Sequence, residues 1–199
     1  DATPLSKAEV TMDGGAYQDV TDPSIYVKFQ LKNSKAKLLA WTTTPWTLPA
    51  NTALAVNKDD IFVEVELNQE NLILAKEMLE KALVDDKRQP LNYKVIREIS
   101  ASSLVGEEYE PLFEDAGKNG HKIWHGDFVT TEEGTGIVHI APAYGEDDFQ
   151  LAMKNNIPVV HSVDDNGIYT SGEWEGALVW DVNKTIAKSL LEKGVALRI

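Results

Sequence analysis

The chain has 199 residues, 43% of them hydrophobic, no cysteine, and a formal net charge of -13 from 32 acidic and 19 basic side chains. That length supports one well-buried core with at most a small appendage, and the missing cysteines exclude disulfides, thiolate chemistry and cysteine-ligated zinc, which fits a reducing compartment. The acidic field repels phosphate backbones, so general nucleic-acid affinity is excluded while a local contact to one nucleic-acid end is not.

No run of roughly 18 apolar residues occurs, so nothing reads as a membrane-spanning helix. The first residues carry no cleavable leader, and Asp1 is not a natural start; a processed chain or a piece of a larger protein is expected. Residues 24–31 (SIYVKFQL) alternate apolar and polar positions and predict a half-buried strand. Residues 37–44 (KLLAWTTT) predict a second strand, which Pro45 must end or place at an edge. TALAVN (52–57) and IFVEVEL (61–67) predict two more, joined by a turn at Lys58, Asp59 and Asp60. From Glu70 the period changes, and Ala75, Met78, Leu79, Ala82 and Leu83 form a helical stripe within ENLILAKEMLEKALVDD.

YKVIREI (93–99) and KIWHGDFVT (122–130) predict strands around a polar connection containing Gly and Pro. GTGIVHIAP followed by GEDDFQLAMKNN reads as strand, turn, helix. PVVHSV predicts a short strand, and Asn166-Gly167 after it a tight turn. Val182, Ile186, Ala187, Leu190 and Leu191 stripe a last helix that Gly194 can terminate. No internal repeat or low-complexity segment is present. About eight strands and three helices without regular alternation favour an α+β, β-rich fold, a barrel-like or strongly curved sheet with peripheral helices, over a doubly wound one.

Several motifs have dull readings. GTGIVH lacks the third glycine of a dinucleotide fingerprint, and its glycines precede a strand instead of opening a helix. His121 and His125 stand four apart, but in a strand and with no third ligand at a metal offset, so exposed, uninvolved histidines are expected. Alternation puts Ile137, His139 and Ala141 on one face and Val138 and Ile140 on the other, where His139 alone suits a structural histidine. Asp148, with Glu146 and Asp147, suits a helix-start charge.

Two segments taken together carry more. Thr42, Thr43 and Thr44, flanked by Trp41 and Trp46, supply hydroxyls that can orient a water or hold an ester carbonyl. The segment 134–148 supplies an imidazole, a Gly-rich approach and a carboxylate expected to stay ionised at neutral pH and bind an ammonium group. Such a set permits metal-free hydrolysis of a small zwitterionic or aminoacylated substrate, though composition and spacing do not establish it.

WTTTPWTLPANTALAV and GTGIVHIAPAYGEDD, with DPSIYVKFQL ahead of them, closely resemble the inserted editing domain of isoleucyl-tRNA synthetases. The resemblance covers nearly the whole chain, and implies that 1–199 form a single editing domain of a larger class I synthetase. Valyl and leucyl relatives usually carry arginine where Thr44 stands, then proline and an acidic residue; TTTPW points to the isoleucyl branch. The family implies a β-barrel-like core inserted into a Rossmann catalytic domain. It implies hydrolysis of valyl-tRNA(Ile), and of valyl-adenylate, because one methylene discriminates by only about 1–3 kcal/mol and a second sieve is needed, an argument known from this synthetase family itself.

By the same resemblance Thr42, Thr43 and Thr44 surround the aminoacyl group and place the attacking water. Asp148 holds the α-ammonium, and His139 stands beside the substrate side chain to exclude isoleucine. Trp46, Thr47, Asn51 and Tyr144 neighbour the pocket. No HIGH-type or KMSKS-type signature is present, so no synthetic activity is expected. The domain itself takes no cofactor, whereas the parent uses ATP with Mg, and Zn, elsewhere. The implied partners are the 3′ end of aminoacylated isoleucine tRNA, its valine moiety and the rest of the parent, in a cytoplasmic monomer. The competing readings are a binding module for aminoacyl ends without hydrolysis, a purely structural insertion, and the editing domain of the related valyl enzyme.

Overall fold

A computed structural model describes residues 23–199; the expectations for Asp1 to Asp22, including the start of the resembling DPSIYVKFQL segment, lie outside the described residues. The strands are β1 (Ile25–Gln30), β2 (Lys37–Thr42), β3 (Ala53–Val56), β4 (Ile61–Leu67), β5 (Glu70–Ala75), β6 (Lys94–Ser100), β7 (Lys122–His125), β8 (Ile137–Ile140) and β9 (Ala196–Arg198). The α-helices are α1 (Leu79–Ala82), α2 (Glu146–Asn155) and α3 (Val179–Glu192).

All nine strands join one mixed, curled sheet in the order β6-β4-β5-β2-β8-β3-β7, with β1 added on β2 and β9 on β1. β2 is its fork. One edge pairs antiparallel with β1 from Ile25↔Thr42 to Gln30↔Lys37. The other edge is divided: Lys37 and Leu38 run parallel to Leu72 and Ile73 of β5, while Trp41 runs parallel to Val138 of β8. The sheet therefore splits just where the threonine row begins. Alternation along β8 holds: Ile137 packs into the main core with Leu54 and Val56, while Ile140 faces α2 in a smaller cluster with Leu151 and Ala152.

Three expectations need correction. Glu70 to Ala75 form β5 and not the first turns of a helix; α1 is a single turn after the 3-10 segment Lys76–Met78. The cause is a two-residue hairpin, Asn68-Gln69, with φ of 52° and 67° that pairs Leu67 with Glu70; both positive φ values fit the turn that matches strand twist, but the glycine that normally advertises it is absent. PVVHSV is irregular except for the bridge Val163↔Tyr169, and β7 stops at His125. At the C-terminal end, Gly194 (φ 70°) does terminate α3: its N–H reaches Leu191 O at 3.0 Å and Val195 N–H reaches Leu190 O at 3.0 Å, a Schellman pair. That turn delivers β9, a strand without a sequence signal, onto β1.

Candidate functional site

Pro45 cannot extend the ladder of β2, so the chain leaves the strand after Thr42 and enters the 3-10 helix Pro45–Ala50, with proline at its first turn. The exit is folded by threonine hydroxyls. Thr44 N–H donates to Thr42 Oγ1 at 3.1 Å, and Thr47 Oγ1 donates to Thr44 O at 2.9 Å. Thr42, Thr44 and Thr47 hydroxyls thereby line up at 3.2 and 3.3 Å. Such local bonds are what threonine offers at an element end.

The second wall comes through the GTG turn. Gly134 and Gly136 take φ of 74° and 75°. A Cβ on Gly136 would stand 2.5 Å from Ala75 Cβ, and one on Gly134 would stand 2.9 Å from Trp41 Cε3. The glycines are needed for backbone approach, which explains their pattern without a nucleotide. β8 then places His139 opposite Leu54 of β3 and beside the threonine turn.

His139 is buried, with Nε2 2.9 Å from Thr47 Oγ1 and Nδ1 2.8 Å from Asn51 Nδ2. Asn51 is fixed in orientation, because its Nδ2 also donates to Ala53 O at 2.9 Å and its Oδ1 accepts from Tyr109 Oη at 2.7 Å. The Asn51 amide therefore donates to Nδ1, leaving the proton on Nε2. Burial pushes the His139 pKa down to about 4, and a second ring proton would face an N–H donor. Burial also holds the Tyr109 hydroxyl well above its usual range, so it remains a donor.

α2 supplies the carboxylate. Its first turn holds Glu146, Asp147 and Asp148 with no side-chain cap; Asp148 turns back to the end of β8, where its Oδ2 accepts Ala141 N–H at 2.8 Å. Burial pushes the Asp148 pKa up, and Asp147 adds to this, while the Ala141 N–H opposes it. An arriving ammonium would favour the ionised form.

Thr42, Thr43, Thr44, Thr47, His139, Tyr144 and Asp148 line one cavity of about 270 Å³. Trp41, Val138 and Ala141 complete it. Trp46 and Asn51 stand outside its lining. Trp46 packs edge-on against Tyr144 at 5.1 Å, its N–H held by Asn183 Oδ1 and its carbonyl by Tyr169 Oη. Asn51 backs His139 and lines a second cavity of about 210 Å³ walled by Phe113, Trp174, Pro49 and Val160 among others. The Tyr144 hydroxyl accepts the N–H groups of Ser162 and Val163, tying the irregular 158–163 segment to the cavity. Tyr109 has no motif around it in the sequence and enters only through space.

His121 and His125 are not exposed as expected: His121 is buried and His125 half-buried. Ala116 N–H occupies His121 Nε2 and Lys58 N–H occupies His125 Nδ1.

Comparison with known proteins adds sequence and fold relatives. The family described as "Leucyl-tRNA synthetase, editing domain" matches residues 23–174. The chain is 43% identical over 197 residues to an isoleucine–tRNA ligase of Clostridium kluyveri, covering 97% of this chain and 18% of that protein. It is 39% identical over 209 residues to that of Methanocaldococcus jannaschii, covering 97% of this chain and 20% of that protein. The chain thus spans about a fifth of these relatives. The crystal structure of GlLeuRS-CP1 superposes with a TM-score of 0.72 at 17% identity, over 88% of this chain and 98% of that one. The P. falciparum cytosolic leucyl-tRNA synthetase editing domain gives 0.65 at 12%, over 83% and 80%; at these identities the likeness concerns fold. The chain belongs to the aminoacyl-tRNA synthetase editing-domain family, on the isoleucyl side of it by sequence.

Proposed function

We propose that this domain hydrolyses the valyl ester of isoleucine tRNA, with valyl-adenylate as a second substrate, as the proofreading part of a larger synthetase in the cytoplasm. The observation that carries the reading is the convergence on one cavity of a hydroxyl row, a neutral imidazole and a carboxylate from three separate elements. Asp148 takes the α-ammonium of the aminoacyl group. Thr43 and Thr44 hold the water, whose oxygen attacks the ester carbonyl; the C–O bond to the ribose breaks, the acid leaves and the proton passes to the 3′-oxygen. His139 limits the depth available to the side chain, so that valine fits and isoleucine does not. Thr42, Thr47 and Tyr144 shape the wall, with Trp46 and Asn51 behind it.

The net charge of -13 fits a domain that meets only the tRNA's 3′ end and leaves most of the grip to its parent. The test is a titration with non-hydrolysable 3′-valyl- and 3′-isoleucyl-adenosine analogues, followed by Trp fluorescence, and then a deacylation assay. Binding of the valyl analogue alone, with release of valine from Val-tRNA(Ile), is expected. Equal binding of both would remove the sieve, and binding without turnover would make the domain a capture module.

A further inference from the structure

We propose that the second cavity, behind Asn51, binds a small organic monocation: an ammonium group carried on a single aromatic ring or an apolar body of that size. No residue lines both this cavity and the one that holds the threonines, so the proposal does not rest on the proposed hydrolysis. Separate stretches of chain build the site. Pro49 and Asn51 come from the end of the 3-10 helix, and Val160 from the irregular 158–163 segment. The loop at 113–116 and the turn at 171–174 close it. Aromatic packing fixes these walls in advance. Trp174 is buried, edge-on to Phe113 at 5.6 Å and tilted against Tyr169 at 6.2 Å, and the Tyr169 hydroxyl is anchored on Trp46 O. The 113–116 loop is tied down where Ala116 N–H meets His121 Nε2 at 2.9 Å.

Size and charge together select the ligand. The volume of about 210 Å³ lies below the about 300–1,000 Å³ of pockets for drug-sized ligands, which leaves room for one ring and a short arm. Glu114, Asp115 and Glu173 line the cavity, and no Lys, Arg or His does. Lys193 meets Glu173 at 3.1 Å from outside the lining. His121 stands 3.7 Å from Asp115, but its Nε2 accepts Ala116 N–H, so the ring is neutral. Glu114 and Asp115 therefore have no cationic partner among the described residues. Apolar walls concentrate the field of such unpaired charges, which repels phosphates and carboxylates and draws cations in. The rings of Trp174 and Phe113 then offer an organic cation both apolar contact and π faces. A bare metal ion would leave that wall unused, and among the described residues no group of acidic or histidine side chains converges closely enough to hold one.

The experiment follows the indole N–H signals of the five tryptophans by 1H–15N NMR, assigned through Trp→Phe variants, while the chain is titrated with benzylammonium, benzyl alcohol or benzoate. The three probes share a ring and differ in charge. Benzylammonium should shift the Trp174 signal saturably and leave that of Trp41, in the other cavity, in place. Benzyl alcohol should bind roughly tenfold more weakly, since each exposed carboxylate is worth up to about fivefold, and benzoate should not bind. Added salt should narrow the gap between the amine and the alcohol. The double variant Glu114→Gln/Asp115→Asn changes two exposed side chains and should close most of that gap, with benzyl alcohol binding unchanged. Equal affinity for the amine and the alcohol overturns the proposal, because the cavity would then be merely apolar. So does a double variant that binds benzylammonium as tightly as the wild type. A shift of Trp41 without Trp174 overturns it too, by sending the ammonium to Asp148, as does the absence of any saturable shift. Deacylation is not read, so failure of the hydrolytic reading and failure of this one are separate results.

Discussion

Two buried polar groups of residues meet at Tyr109 and are completed differently. On one side Asn51, His139 and Thr47 have each side-chain polar atom paired, and the chain ends at a cavity. On the other side His121 N–H donates to Thr52 O at 2.7 Å and His121 Nε2 accepts Ala116 N–H, but His121 Nδ1 and Thr52 Oγ1 are buried without a partner among the described residues. His121 also sits at a left-handed φ of 56°. Both histidines are held neutral by burial, which pushes both pKa values down. Burial alone therefore does not mark a working histidine. What separates His139 is that both its nitrogens are committed, one to a side chain that faces the cavity.

The largest effect that would break this contrast concerns the charge the cavity offers. Asp148→Asn keeps an acceptor for Ala141 N–H and removes the charge, so the valyl analogue should lose about 2–5 kcal/mol of affinity, the usual cost of deleting one partner of a desolvated charged pair. Stability should not fall. The folded pKa of Asp148 is raised, so its contribution to stability is present in acid and lost as pH rises through that pKa, and the ionised group at neutral pH opposes folding. In the wild type the analogue's affinity should weaken on acidification at a pH above the ordinary carboxylate range. Undiminished binding by Asp148→Asn would make the residue a helix-start charge only.

The next effect is on the acid side of stability. The folded pKa of His139 lies near 4 against an ordinary 6.5. Between these values the unfolded chain takes up a proton that the folded chain refuses. Stability is therefore intact above the upper value and falls by about 3 kcal/mol as pH drops to the lower. Urea unfolding at several pH values should show that share of the acid loss disappearing in His139→Gln and persisting when His121 is replaced instead. Equal acid losses in the wild type and His139→Gln would mean that the His139 ring is accessible to protons.

How much of this was legible beforehand depended on whether a signal is local. β1, β3, β4 and β8 announce themselves by alternation or by bounded apolar runs, and Pro45 predicts where β2 ends. β5 does not: ENLILA joins a continuous apolar run to a helical stripe, and its turn uses Asn68-Gln69 in place of glycine. The threonines, His139 and Asp148 stand out as residue types within two motifs, and the cavity gathers them. Tyr109 could not be read, because its partner Asn51 lies 58 residues earlier and EEYEP has no periodicity. Trp46 stands one layer behind the cavity: its ring packs edge-on against Tyr144, which lines the wall, because the 3-10 turn places it there.

The smallest effects test the pairing itself. Thr47→Val leaves His139 Nε2–H without an acceptor inside the protein, so unfolding free energy should fall by about 1–3 kcal/mol, the penalty for a buried donor deprived of its partner. Thr52→Val is the same change in shape on the other side of Tyr109, at an Oγ1 that is already unpaired. There the substitution removes a desolvated hydroxyl and abandons no partner, so stability should hold or rise by up to about 1 kcal/mol. Urea unfolding of the pair decides between two accounts of the contrast. Opposite signs mean that the His121 side tolerates unpaired polar atoms. A loss of similar size in both variants means that Thr52 Oγ1 and His121 Nδ1 are joined through an enclosed water, and that both sides of Tyr109 are complete networks.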